Sequence, residues 1–201
     1  MMLVNEIFYS LQGEGYYAGT PAIFVRFSGC NLRCPFCDTQ HEHGTEMSEE
    51  AIVAAARNLI PPTFDLFPPN VVLTGGEPAL QLTPSLVELF RDEGCSVAVE
   101  TNGTLPLPPN VDWVTLSPKS LWLGEEAAPV LTRANELKVL FDGEHDPAAY
   151  IHIVAPLRFL QPMDTGDAAR NAALMRQAAD YCLRHPHWRL SLQIHKILDI
   201  P

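Results

Sequence analysis

Short apolar, β-branched runs recur along the chain at residues 7–10, 22–27, 71–74, 96–100, 113–116, 137–141, 158–160 and 190–194, and each predicts a strand. Between several of them the period lengthens to that of a helix. Residues 48–59 carry Glu49 and Glu50 in a first turn, where acidic groups favour the positive end of a helix. Thr83 caps a second helix, with Pro84 at its first position and Gly94 just past its end, and a third spans residues 167–184. Strands alternating with helices of this length predict parallel βαβ units. Residues 121–132 show no clear period and are assigned to neither class.

The unusual residues fall immediately after predicted strands. Residues 29–38, Gly75-Gly76-Glu77-Pro78, Thr101-Asn102-Gly103, Ser117-Pro118-Lys119, Gln161-Pro162-Met163-Asp164 and His195-Lys196 all do so. In parallel barrels and doubly wound sheets the loops beyond the carboxyl ends of the strands converge on one crevice, so these six are expected to share one rim. The prolines, 18 of 201 residues, bunch at Pro61-Pro62, Pro68-Pro69 and residues 106–109, and read as loops rather than linkers. No repeat or low-complexity tract divides the chain, so residues 1–201 are expected to form one domain.

Composition narrows the class. With 47% apolar and 18% charged residues the chain can bury a core, and a formal charge of -11 opposes broad contact with phosphate backbones, which excludes a general nucleic-acid binder. The start, Met1-Met2-Leu3-Val4-Asn5-Glu6, lacks the basic and apolar regions of a signal peptide, and no stretch approaches ~18 uninterrupted apolar residues. A cytoplasmic protein without a membrane partner is expected. In such a reducing compartment cysteines serve as ligands, nucleophiles or core. Cys95 and Cys182 stand alone and read as buried apolar residues, and His145, His185 and His187 read as surface residues.

Cys30, Cys34 and Cys37 are different, because three thiolates on one short loop can hold three corners of a metal centre. With His41 or His43 as a fourth ligand the loop would make a closed zinc site. Alternatively the three thiolates bind three irons of a four-iron, four-sulfur cluster and leave the fourth iron open, with Phe36 as a shield. The Cys-x3-Cys-x-aromatic-Cys pattern resembles the loop of the radical S-adenosylmethionine enzymes. In that superfamily it follows the first barrel strand, and a Gly-Gly-Glu-Pro segment like Gly75 to Pro78 follows the next.

The other blocks resemble one family within it, 7-carboxy-7-deazaguanine synthase. They are Glu6-Ile7-Phe8-Tyr9-Ser10-Leu11-Gln12-Gly13-Glu14-Gly15, Cys37-Asp38-Thr39, Glu100-Thr101-Asn102-Gly103, Ser117-Pro118-Lys119, Asn135-Glu136-Leu137-Lys138, Gln161-Pro162-Met163-Asp164 and the close from His195-Lys196 to Ile200-Pro201. The resemblance implies an incomplete, TIM-like parallel α/β barrel of the radical S-adenosylmethionine type. It implies ring contraction of 6-carboxy-5,6,7,8-tetrahydropterin to 7-carboxy-7-deazaguanine with loss of ammonia, a lyase step toward queuosine. A 4Fe-4S cluster on Cys30, Cys34 and Cys37, S-adenosylmethionine, Mg2+ on Thr39, an electron donor such as flavodoxin or ferredoxin, and a homodimer all follow from it.

By the same resemblance, substrate contacts fall on Leu11, Gln12, Gly13, Arg26, Thr74 and Pro201. Cofactor contacts fall on Phe36, Cys37, Asp38, Gly76, Ser117, Pro118, Lys119, Gln161, Pro162, Met163 and Asp164. Arg26 also has a reading of its own: flanking Val25 and Phe27 suggest an enclosed strand, where a guanidinium wants an anion such as a carboxylate. The residues alone leave bland readings open, a surface ion pair for Arg26, solvated loop charges for Lys119 and Asp164, a turn former in Thr39. Two other functions remain, an enzyme that installs a glycyl radical on a partner protein and a zinc-binding module. The first needs an open groove in place of a closed small-molecule pocket.

Overall fold

A computed structural model describes residues 1–61 and 70–201, so the loop expected at Pro62, Pro68 and Pro69 lies outside the described residues. The strands β1 (Met2–Leu11), β2 (Pro21–Phe27), β3 (Thr45–Met47), β4 (Asn70–Gly75), β5 (Ser96–Thr101), β6 (Trp113–Leu116), β7 (Glu136–Phe141), β8 (Leu157–Pro162) and β9 (Arg189–Leu190) form one sheet. Its order is β3-β1-β2-β4-β5-β6-β7-β8-β9, and the ends of that order do not pair with each other. From β2 to β9 every neighbouring pair is parallel. The result is the expected open parallel barrel.

Helices α1 (Glu49–Arg57), α2 (Pro84–Asp92) and α4 (Ala168–Arg184) stand where the sequence places them, each opened by a side-chain cap from Ser48, Thr83 or Asp167. Residues 120–132 hold only a single turn, α3 (Ser120–Leu123), and a short 3-10 turn. Among the described residues no helix is long and apolar enough to cross a membrane.

Two expectations need correction, and one strand was not expected. The first two strands are antiparallel rather than a βαβ unit, because the nine residues between β1 and β2 are too few for a crossover. Strand β3 has only three residues and no readable period. The strand expected at 190–194 stops at Leu190, and the chain turns into helix α5 (Ile194–Leu198). The apolar residues there, Ile194, Ile197 and Leu198, have the i, i+3, i+4 spacing of a helix, and the Ile194 N–H bonds to the Gly13 carbonyl (3.0 Å) rather than to a neighbouring strand.

Strand alternation sorts the side chains. Ile23, Val25 and Phe27, Val71 and Leu73, and Val97 and Val99 bury themselves against α1 and α2, while Leu137, Val139 and Leu160 pack with Leu174 and Ala178 of α4. Cys95 joins the first core as expected, whereas Cys182 is only partly buried, packed against the second. The alternate positions, Arg26, Thr74, Glu100, Lys138 and Gln161, instead line a cavity on the concave face.

The carboxyl end of β4 makes the closest backbone approach. A Cβ on Gly76 would lie 2.1 Å from the Gly29 carbonyl oxygen, and one on Gly75 2.1 Å from that of Phe27. The N–H groups of Gly76 and Glu77 donate to those same two carbonyls, at 3.1 and 2.9 Å. These glycines therefore seat the start of the cysteine loop. Gly76→Ala should cost about 1–3 kcal/mol, the usual overpacking range, because its neighbour is backbone and cannot swing aside. Denaturant unfolding with an unchanged midpoint would show that this contact is dispensable.

Candidate active site

A cavity of about 670 Å³ opens at the carboxyl rim of the barrel. Leu11, Gln12 and Gly13 reach it from the end of β1, Arg26 from β2, and Thr74 and Gly76 from β4. The loop after β2 contributes Cys30, Cys34, Phe36, Cys37, Asp38 and Thr39. Ser117 and Lys119 enter after β6, Gln161, Met163 and Asp164 from β8, and Pro201 from beyond α5. Of the site residues predicted from sequence only Pro118 and Pro162 do not line the cavity; both are buried.

All three loop cysteines are free thiols. Burial pushes the Cys30 and Cys34 thiols up; the Leu32 N–H, 3.4 Å from the Cys30 sulfur, and the Lys119 ammonium near Cys34 act against it and favour the thiolates that bind metal. Asn31 fastens the loop to the β5 side by hydrogen bonds with Thr104 (2.8 Å) and Asn102 (3.1 Å). Phe36 packs edge-on against Trp122, whose indole N–H donates to Asp142. The Asp142 carboxylate also binds His145 at 2.6 Å, so His145 is a half-buried partner rather than the surface residue expected. His185 is also half-buried, stacked on Tyr181, whereas His187 is exposed.

Of the two candidate zinc ligands, His41 lines the cavity and His43 does not. Among the described residues no three His, Cys, Asp or Glu side chains converge as ligands of a single ion. A zinc tetrahedron needs that convergence, whereas a cube takes each thiolate on a different iron.

The floor carries charge. Lys138 is buried and bonded to both Glu14 and Glu100, the latter at 3.1 Å, and Gln12 donates to the other oxygen of Glu100 at 3.0 Å. Burial alone would discharge this lysine, but the two carboxylates outweigh it and raise its pKa, while Lys138 in turn holds Glu14 below its ordinary value against the effect of burial. Among the described residues no carboxylate is in hydrogen-bond contact with Lys119; burial takes its pKa down to about 8, and its ammonium donates to the Ser117 carbonyl and hydroxyl. It is not the solvated loop charge of the bland reading. Asp164 is an exposed loop charge but a partnered one, held low by Lys196, the Gly166 N–H and Asn171.

Arg26 makes the ordinary ion pair and also reaches the cavity. Its Nε donates to Glu6 at 2.7 Å, and the side chain lies over the Phe8 ring and borders the cavity. Glu77 is fully buried and accepts from the Thr101 hydroxyl (2.7 Å) and from the N–H groups of Asn102 (2.8 Å) and Ala79 (3.0 Å), which fixes the loops after β4 and β5 together.

Residues 24–122 match the Radical SAM superfamily. A 7-carboxy-7-deazaguanine synthase of Bacteroides thetaiotaomicron is 48% identical over 201 residues, covering 100% of this chain and 99% of its own. The chain belongs to the 7-carboxy-7-deazaguanine synthase family. The family's enzyme from Bordetella pertussis is 44% identical, over 98% of each chain. The crystal structure of QueE from Escherichia coli superposes with a TM-score of 0.74 at 29% identity, covering 96% of this chain and 93% of that one.

Within this family, the cysteine loop, Arg26 and the Gly-Gly-Glu-Pro segment were legible as motifs. The functions of Glu14, Glu100 and Lys138 in the floor were not assigned from sequence, although a signal existed. Glu100 and Lys138 each interrupt a β-branched strand at the alternate position, which marks a charge facing something other than the helices. Lys138→Met strands two carboxylates in the floor and should destabilise the protein by about 3–5 kcal/mol, as loss of one partner from a buried pair does. Adding Glu14→Gln should recover part of that loss in denaturant unfolding; purely additive losses would mean the pair is not coupled.

Proposed function

We propose that this chain, acting as one radical S-adenosylmethionine domain over residues 1–201, converts 6-carboxy-5,6,7,8-tetrahydropterin to 7-carboxy-7-deazaguanine with loss of ammonia, a lyase step toward queuosine. The observation that carries it is that Cys30, Cys34 and Cys37 share one cavity with Gln12, Arg26 and Thr74, in a chain of this family. The three free thiols fit a 4Fe-4S cluster with one open iron. When bound, the cluster and S-adenosylmethionine supply the organic radical that removes hydrogen from C6 of the pterin.

The chain's own residues bind, orient and exclude water. In this reading Arg26, fixed through its Nε by Glu6, keeps its two terminal nitrogens for the pterin carboxylate. Leu11, Gln12, Gly13, Thr74 and Pro201 bound the rest of the substrate, and the Ser10 hydroxyl anchors Pro201 at 2.7 Å. Phe36, Cys37, Asp38, Gly76, Ser117, Lys119, Gln161, Met163 and Asp164 face the cofactor, with Pro118 and Pro162 buried beside them, and Thr39 supplies the protein's ligand to Mg2+. Glu100 and Lys138, beside Gln12 in the floor, are placed to exchange hydrogen bonds with the polar edge of a pterin. Five free thiols suit a cytoplasmic enzyme, and an external one-electron donor such as flavodoxin or ferredoxin serves the cluster. Exposed Leu183, Ile197 and Leu198 offer apolar surface for a homodimer.

The alternative of a protein-activating enzyme needs an open groove, whereas here α5 is tied into the rim of the cavity through Asp38 and Asp164. After anaerobic reconstitution with iron and sulfide, the protein should turn over the pterin with S-adenosylmethionine, Mg2+ and reductant, read by product mass. Cys34→Ala should lose the brown absorption and the product, and Cys95→Ala should keep both. Arg26→Lys should weaken pterin binding at least tenfold while leaving S-adenosylmethionine binding within about twofold, since an ammonium cannot form the paired bonds of a guanidinium. Product formation by Cys34→Ala at the wild-type rate would overturn the cluster assignment.

A further inference from the structure

Helix α5 contacts two sets of cavity residues. The Ile194 N–H bonds to the Gly13 carbonyl, the His195 ring fills the space a Gly13 side chain would occupy, and Gln193 donates to Glu14 at 2.9 Å. The Lys196 ammonium sits between Asp38 (2.7 Å), in the cysteine loop, and Asp164 (2.8 Å), beyond β8, and the same Gln193 amide nitrogen also reaches Asp38 at 3.1 Å. In the proposed function, on which this inference rests, Gly13 borders the pterin while Asp38 and Asp164 border S-adenosylmethionine.

Exposed ion pairs add little to overall stability, and the three side chains here remain 34–51% exposed. Their placement matters more than their strength. Without Lys196 two neighbouring carboxylates would lose the cation they share, keeping only neutral donors from Gln193, Gly166 and Asn171, and α5 would have no charged tie to either cofactor-facing loop. We propose that Lys196 is a positioning residue that couples pterin binding to S-adenosylmethionine binding by tying α5 to Asp38 and Asp164. Either ligand that favours this placement of residues 193–198 arranges the contacts the other needs, so each tightens the other by the same factor.

The test is anaerobic calorimetry on cluster-loaded protein kept oxidised, so that no turnover occurs, titrating the pterin with and without S-adenosylmethionine and each ligand alone. In the wild type, S-adenosylmethionine should tighten the pterin on the order of tenfold. In Lys196→Met each ligand alone should bind within about threefold of wild type, but the mutual tightening should fall to about twofold or less; Lys196→Arg, which can span two carboxylates, should retain most of it. Full tightening in Lys196→Met, or a loss confined to the separate affinities, overturns the inference. Two ligands that bind the wild type without reinforcing each other overturn it while leaving the proposed function standing. If neither ligand binds the wild type, the proposed function itself falls, and this inference with it.

Discussion

Lys138 keeps its ammonium inside the barrel with only 5% of its side chain exposed, and a buried cation must be answered by anions held at fixed positions. Glu14 comes from the turn after β1 and Glu100 from β5, so one ammonium draws together the antiparallel strand β1 and the centre of the parallel sheet. Gln12, from the same turn as Glu14, and Gln193, from the C-terminal segment, complete the carboxylates' hydrogen bonds. The floor of the cavity is thus a single electrostatic unit assembled from four distant parts of the chain. It stays polar because hydrogen bonds and opposite charge offset the cost of dehydration.

Around this floor the barrel uses strand alternation to keep two environments apart. The face toward α1, α2 and α4 is aliphatic, while the concave face carries Arg26, Thr74, Glu100, Thr115, Glu136, Lys138 and Gln161. Parallel register brings several of these side by side, Arg26 opposite Thr74, Glu100 opposite Thr115 and Thr115 opposite Glu136. One face supplies the hydrophobic stabilisation and the other the recognition surface. The cysteine loop then sits on the backbone of Gly75 and Gly76, which makes its position a property of the sheet rather than of a flexible insertion.

The rim is closed by the C-terminal segment. Its contacts are polar and partly exposed, the kind that form and release at small energetic cost, whereas the floor is buried and rigid. That contrast suits an enzyme that must admit two small molecules and then exclude water from the reaction between them.

The sequence by itself determined the three long helices, seven of the strands and the cysteine loop, because periodicity, caps and ligand spacing are local and survive without tertiary context, while the open parallel barrel followed from the family resemblance of its motifs. It also placed nearly every rim residue, since in a parallel barrel the loops after the strands have only one place to go. Tertiary structure decided the rest. The direction of β1 followed from the shortness of its connection, and residues 194–198 became a helix at the rim of the cavity because Gly13, Asp38 and Asp164 offered partners there that no neighbouring strand supplied. The pairing of Lys138 with Glu14 and Glu100 spans 124 and 38 residues of sequence, and a charge's partner at such separation is fixed by the closing of the sheet, which no local pattern records.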